Sequence, residues 1–379
     1  MEKKQLSLKY ENKGSSKNIH KKKEYNRKYY FPNKNKNIHF AIKKRTNLKL
    51  DKSNIISGLN KSFFIKLILI LFLLFFTLKI FIKSNKSNKD NYFACFMTTA
   101  KRENRYAREL IEYYLKLGVE KFIFADNNSP NTEKLSDVIQ DYIDKGIVDI
   151  IDYIGVDISP AKFFNITCEK YNQKCEWFLY FDFDEYLEVF FEKNKPLGLK
   201  KFLSNETFNK CEAIVFNWLI YTDNELLYYD KRPLIKRFTE PYFKMWSNIY
   251  VKPMVRGNLN KTLFIAGQSH HYPDKGLKIC DSMGSIISHD PYTLSPPVFE
   301  HGYLKHFSEK TADESCDKVM RGVFERVTYN MDERIAIFFA TNRFSNEKLK
   351  IFEKKLNRTF DYDAISRSPH FRGNKGVND

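Results

Sequence analysis

The residues with the most evident chemistry lie between Trp177 and Glu188, which reads W-F-L-Y-F-D-F-D-E-Y-L-E. An apolar run ending in Asp182, Asp184 and Glu185 is how a buried strand looks when its C-terminal end opens into a site. Side chains alternate along a strand, so Asp182 and Asp184 are expected on one face while Phe181 and Phe183 enter the core. Two carboxylates on one face repel each other unless a cation sits beside them, and hard oxygen ligands suit Mn²⁺ or Mg²⁺ better than zinc. A divalent ion held by Asp182 and Asp184 could bind a diphosphate. An isolated D-x-D is more often only a solvated strand end, so the surrounding chain has to decide.

Several elements precede that stretch in alternation. Tyr92 to Met97 is an apolar run, and a helical pattern from about Tyr106 to Leu117 stops at Gly118. A strand over Lys121 to Ala125, a helix over Glu133 to Asp144, a strand over Ile147 to Tyr153 and a helix over Ala161 to Tyr171 follow. Strands alternating with helices predict an α/β fold with a doubly wound, mostly parallel sheet, whose ligands bind outside the C-terminal strand ends. Lys101 and Glu103, then Asp126, Asn128 and Ser129, then Asp182 and Asp184 would converge on that edge. Neither G-x-G-x-x-G nor G-x-x-x-x-G-K-[ST] is present, which argues against a dinucleotide cofactor and a P-loop.

Together, M-T-T-A-K-R-E-N-R-Y-A-R-E-L-I-E-Y-Y-L-K-L-G-V-E-K-F-I-F-A-D-N-N-S and C-E-W-F-L-Y-F-D-F-D-E-Y-L resemble the opening and centre of glycosyltransferase family 92 and related family-2-like enzymes. Later blocks around Trp218, Arg232, Lys252 and His301 to Gly322 follow in the family's order, so the resemblance covers roughly residues 92 to 325. It implies a GT-A fold and a UDP-sugar donor, with a hexose such as galactose passed, with inversion, to a glycan hydroxyl. It also implies Mn²⁺ at the D-x-D, Glu103 and Asp126 near the nucleoside, Asp182 near ribose and metal, Asp184 on the metal, and His306 as a late metal ligand with His271 in reserve. Asp223 or Glu225 would serve as the base that deprotonates the acceptor, with Asp223 preferred; Trp218 and Tyr221 are candidates for stacking on the acceptor sugar. The chain departs from the family's usual pattern at Arg102, Leu110, Tyr114 and Thr222-Asp223-Asn224. A non-catalytic sugar- or metal-binding protein is the competing expectation.

The formal net charge of +18 is concentrated at one end, since residues 1–62 hold 18 Lys+Arg against 4 Asp+Glu. That tail lacks an apolar period and is expected to be disordered, contacting anionic lipid and no nucleic acid. Phe63 to Ile82 is apolar and long enough to span roughly 30 Å as a single transmembrane signal anchor. The basic flank before it predicts a cytosolic N-terminus, hence a single-pass type II protein of the Golgi or another secretory membrane. A stem over 83–91, a catalytic domain over 92–325, and a helical extension and tail over 326–379 complete the expected organisation. All six cysteines fall on the lumenal side, where disulfides are permitted and 15 pairings are open.

Overall fold

A computed structural model of the chain describes residues 61–84, 91–156, 160–259, 276–288, 293–321 and 331–367. The chain separates into two units, Met1–Phe72 and Leu73–Asp379. The basic tail and most of the expected stem lie outside the described residues. Helix α1, Lys61–Ser84, exposes large apolar side chains from Ile65 to Phe75. Among the described residues no helix is long and apolar enough to cross a membrane, and the described side chains of α1 cover only part of the expected span.

The second unit begins as the alternation predicts: β1 (Tyr92–Ala100), α2 (Asn104–Leu117), β2 (Lys121–Asp126), α3 (Leu135–Asp144), β3 (Val148–Asp152), α4 (Pro160–Tyr171) and β4 (Cys175–Tyr180). Gly118 ends α2 in the left-handed region, its N–H donated back to Tyr114 and Leu115. β1 pairs in parallel with β2 and β4, and β2 with β3. Strand alternation sorts the apolar side chains into two cores. Phe96, Phe122, Phe124, Trp177 and Leu179 pack under α2 and α3 with Leu110, Tyr114 and Ile139. Cys95, Met97, Ile123, Phe178 and Tyr180 pack under α4 with Phe163 and Phe164. Helices thus cover both faces, as a doubly wound sheet requires.

The rest of the sheet is mixed. After β5 (Glu185–Val189) and α5 (Leu199–Leu203) come β6 (Ala213–Ile220), α6 (Leu234–Arg237), β7 (Val251–Arg256), β8 (Ile279–Cys280) and β9 (Gly302–His306). The strand order is β3-β2-β1-β4-β7-β6-β9-β5, antiparallel at β4–β7, β7–β6 and β9–β5. Disulfides Cys95–Cys175 and Cys211–Cys280 close spans of 80 and 69 residues, each expected to stabilise by about 4 kcal/mol in the chain-entropy account.

Helices α7 (Ala312–Arg321), α8 (Met331–Thr341), α9 (Asn346–Leu356) and α10 (Tyr362–Ser366) build a third core around Cys316, Phe338 and Phe352. The expected C-terminal extension therefore shares its core with α7. It is tied to the loop after β6 by Lys348 of α9, which reaches Asp223 Oδ2 at 2.8 Å and Glu225 Oε2 at 2.9 Å. Both Lys348 and Asp223 are buried. Removing one partner strands the other charge, so Lys348→Met should cost about 3–5 kcal/mol in urea denaturation, and Lys348→Met with Asp223→Leu should recover much of it. Equal loss in the single and double variants would contradict this assignment.

Candidate active site

β4 stops at Tyr180, and residues 181–184 turn before β5, with the Glu185 N–H returning to the Asp182 carbonyl at 3.2 Å. Phe181 and Phe183 are buried as expected. Asp182 and Asp184, however, lie in that turn and not along one strand face, because pairing to β1 and β7 ends before the chain reaches them. Each acid meets its own cations. Lys252 on β7, the strand beside β4, is 1 % exposed and sends Nζ to Asp182 Oδ2 at 2.6 Å and Glu185 Oε1 at 3.4 Å. Asp184 Oδ2 faces Lys310 Nζ at 3.3 Å and Lys318 Nζ at 3.8 Å, while Oδ1 lies 3.7 Å from His306 Nε2.

Strand register delivers His306. It is the last residue of β9, opposite Glu185 on β5 and Ile220 on β6, and the Phe307 N–H donates to the Asp184 carbonyl at 2.9 Å. Tyr114 of α2 fixes the other side of the turn, donating its hydroxyl to the Glu185 carbonyl at 2.8 Å and accepting the Leu187 N–H at 2.9 Å.

Burial lifts the Glu185 carboxyl to about 8; Lys252 pulls it down, and Asp182 and Asp184 push it further up. Burial works to lower the Lys252 ammonium, but the Asp182 and Glu185 carboxylates outweigh it and the group is raised. Burial also drives His306 down to about 3 against the attraction of Asp184, with Lys318 and Lys252 adding to the fall, so the imidazole is neutral.

A neutral imidazole beside a carboxylate is suitable chemistry for Mn²⁺. The arrangement does not fit the ion, however. Both acids are engaged by ammonium groups, Asp182 is turned to Lys252, and among the described residues no three His, Cys, Asp or Glu side chains converge. The expected triad of metal ligands is thus reduced to Asp184 and His306, and the reserve, His271, lies outside the described residues.

The other predicted residues divide between the cleft and the scaffold. Glu103 is buried and lines a cleft of about 200 Å³ with Arg102, Arg105, Tyr106, Lys310 and Lys318. Asp126 is buried and spends its carboxylate on the N–H groups of Asn128 and Leu135, anchoring the start of α3. Asn128 accepts the Arg102 N–H at 2.6 Å and donates to Asn104 at 3.0 Å, which holds Arg102 in the left-handed region at φ 56°. Lys101 and Ser129 stand half-buried on the same edge. Asp223, expected to be the base, is paired with Lys348, and burial raises its carboxyl against that pairing. Its geometry assigns it to holding the C-terminal helices. Trp218 and Tyr221 are 7 % and 8 % exposed, too buried to stack on a sugar.

Lys252, Lys310 and Lys318 are the site residues that local pattern missed. The α7 segment reads as a surface helix with dipole-complementing acids, yet Glu314 is buried and clamps Arg237 through two bonds of 2.7 and 2.9 Å while accepting the Tyr106 hydroxyl at 2.7 Å. That clamp seats α7, and with it Lys310 and Lys318, over Asp184.

An α/β sheet thus gathers acids and ammonium groups at the C-terminal end of β4. Residues 91–359 match the model of glycosyltransferase family 92, and the chain belongs to that family of glycosyltransferase enzymes. Solved structures similar to it include Staphylococcus aureus TarS 1–349, at 14 % identity and a TM-score of 0.29 over 74 % of each chain. The same protein in complex with UDP-GlcNAc matches at 12 % identity and a TM-score of 0.31, over 70 % of this chain and 72 % of that one. No curated protein sequence matches the chain.

The Glu185 pKa predicts a pH dependence. Because the folded value is raised, protonation contributes stability fully present below the unfolded value of 4.5 and lost as pH rises through about 8. His306, with its depressed value, acts oppositely, its contribution present above 6.5 and lost as pH falls toward 3. His306 is silent above pH 6.5, but burial also lifts the Glu109 carboxyl to about 7, so Glu109 adds a loss of the same sign in the lower part of the window and the Glu185 effect dominates only toward pH 8. Thermal denaturation between pH 7 and 8 should show a falling midpoint that Glu185→Gln makes shallower, with the remainder due to Glu109, and an equal slope in both proteins would contradict the assignment.

Proposed function

We propose that the enzyme transfers a hexose, galactose on the family resemblance, from a UDP-sugar to a hydroxyl of a glycan acceptor. The observation that carries this reading is the placement of Lys310 and Lys318 on Asp184 at the wall of the cleft. In the transfer, the acceptor oxygen bonds to the anomeric carbon from the face opposite the leaving group, the bond from that carbon to the phosphate oxygen breaks, UDP departs with the bonding pair, and the acceptor's hydroxyl proton is released to water. Negative charge accumulates on the diphosphate, and preorganised cations in a partly dry cleft stabilise it more than water does. We assign that role to Lys310 and Lys318 in place of the expected Mn²⁺. Asp184 holds both ammonium groups until the donor's phosphates arrive, and Lys252 keeps the turn in shape.

We also propose an oxidising compartment, supported by the two disulfides, with Golgi residence and a type II anchor at Phe63–Ile82 supported by the sequence. The full-length chain, recovered from the carbonate-resistant membrane fraction, should hydrolyse one member of a UDP-sugar panel. Asp184→Asn and Lys310→Met should each lower kcat by about a hundredfold while leaving the fold intact. A folded protein that turns over no nucleotide-sugar would favour the non-catalytic sugar-binding alternative.

A further inference from the structure

The segment between α6 and β7 carries an unusual combination of exposed rings and buried amides. Phe243 is 60 % exposed and Trp246 is 40 % exposed, three residues apart. Beneath them, Asn248 and Asn217 are buried and spend their amides on the backbone of this segment and its neighbours. Asn248 donates to the carbonyls of Tyr242 at 2.9 Å and Phe243 at 3.1 Å, and accepts the Ile220 N–H at 3.0 Å. Asn217 donates to the carbonyls of Asn248, Ile249 and Leu294 and accepts the Val298 N–H at 3.0 Å. The Tyr242 N–H adds a bond of 2.7 Å to the Ile220 carbonyl. Buried polar networks satisfied in this way rigidify a loop. This segment holds both rings exposed, leaving apolar surface in water.

Ring contacts connect this segment to the acids. Trp246 lies 5.9 Å from the Tyr250 ring, Tyr250 lies 5.4 Å from Trp218, and Trp218 lies 4.3 Å from the His306 imidazole, whose Nε2 is 3.7 Å from Asp184. Phe243 leads by a second route through Phe299 to Tyr303 on β9. Each exposed ring is thus joined through intervening rings to β9, the strand that ends in His306, and Glu240 and Lys244 on the same segment are exposed polar groups. Flat aromatic faces with flanking hydrogen-bonding groups match a pyranose, which offers an apolar C–H face and a rim of hydroxyls.

We infer that Phe243 and Trp246 form an acceptor subsite that stacks on a sugar ring at least one residue removed from the hydroxyl that reacts. This rests on the glycosyl-transfer reading and specifies its acceptor: an oligosaccharide engages the rings and a monosaccharide does not reach them. Trp246→Phe keeps a ring, whereas Trp246→Gln and Phe243→Ala remove one each.

The test uses the full-length chain and a panel of di- to hexasaccharides beside the matching methyl monosaccharides. Binding is read by titration calorimetry and transfer by acceptor KM, and donor hydrolysis without acceptor serves as the control for folding and the donor site. Trp246→Gln and Phe243→Ala are expected to weaken oligosaccharide binding and raise its KM by about tenfold, with Trp246→Phe close to wild type and donor hydrolysis unchanged. Oligosaccharide affinity unchanged in both variants, or wild-type binding no tighter for oligosaccharides than for monosaccharides, overturns the subsite. If no donor is hydrolysed while oligosaccharide binding persists and is lost in the variants, the subsite stands and the transferase reading falls.

Discussion

The contact between the Lys252 ammonium and the Asp182 carboxylate, with the buried Glu185 carboxyl beside them, is the one on which the site depends. Three acids within four residues, two of them buried, would repel one another and pull the turn toward water. A lysine that is 1 % exposed, rising from the neighbouring strand, holds them in place. Its own burial is sustainable because the Asp182 carboxylate faces it at 2.6 Å, so each side of the pair makes the other tenable. Once the turn is fixed, Asp184 is presented to α7 and β5 can pair with β9, which brings His306 alongside.

Two further buried pairs serve the same end from a distance. Arg237 with Glu314 seats α7, and Lys348 with Asp223 joins the C-terminal helices to the loop after β6. Both pairs are almost wholly removed from water, where losing one partner is costly, and both connect segments far apart in sequence. The lysines over Asp184 are therefore placed by the tertiary structure of the second half of the chain, whose third core extends through α10. A boundary drawn at residue 325 would cut through that support.

Much of the first half was legible because it obeys local rules. Apolar alternation marked β1 to β4, Gly118 marked the end of α2, and polar residues marked the C-terminal ends of β1, β2 and β4. The D-x-D was found as a motif, but its geometry was misjudged. The strand period ends at Tyr180, four residues short of Asp184, and nothing in F-D-F-D says where pairing to the neighbouring strand ends. The cations were invisible for a different reason: Lys252 and Lys310 lie 70 and 126 residues from the aspartates they meet, and in a chain this rich in lysine no local feature separates them from surface residues. Asp223 and Trp218 have residue types that suit a base and a stacking platform, but burial is set by tertiary contacts that residue type does not show: both are buried, and Asp223 is paired with Lys348.

The central claim is that ammonium groups of the protein, and not a divalent ion, meet the donor's diphosphate at Asp184. It is tested most directly by calorimetric titration of the full-length chain with UDP and with uridine, in chelator and then with added Mn²⁺. The account predicts that UDP binds more tightly than uridine in chelator, that the difference shrinks with rising salt, and that Lys310→Met with Lys318→Met abolishes it. UDP binding no tighter than uridine until Mn²⁺ is supplied would contradict it.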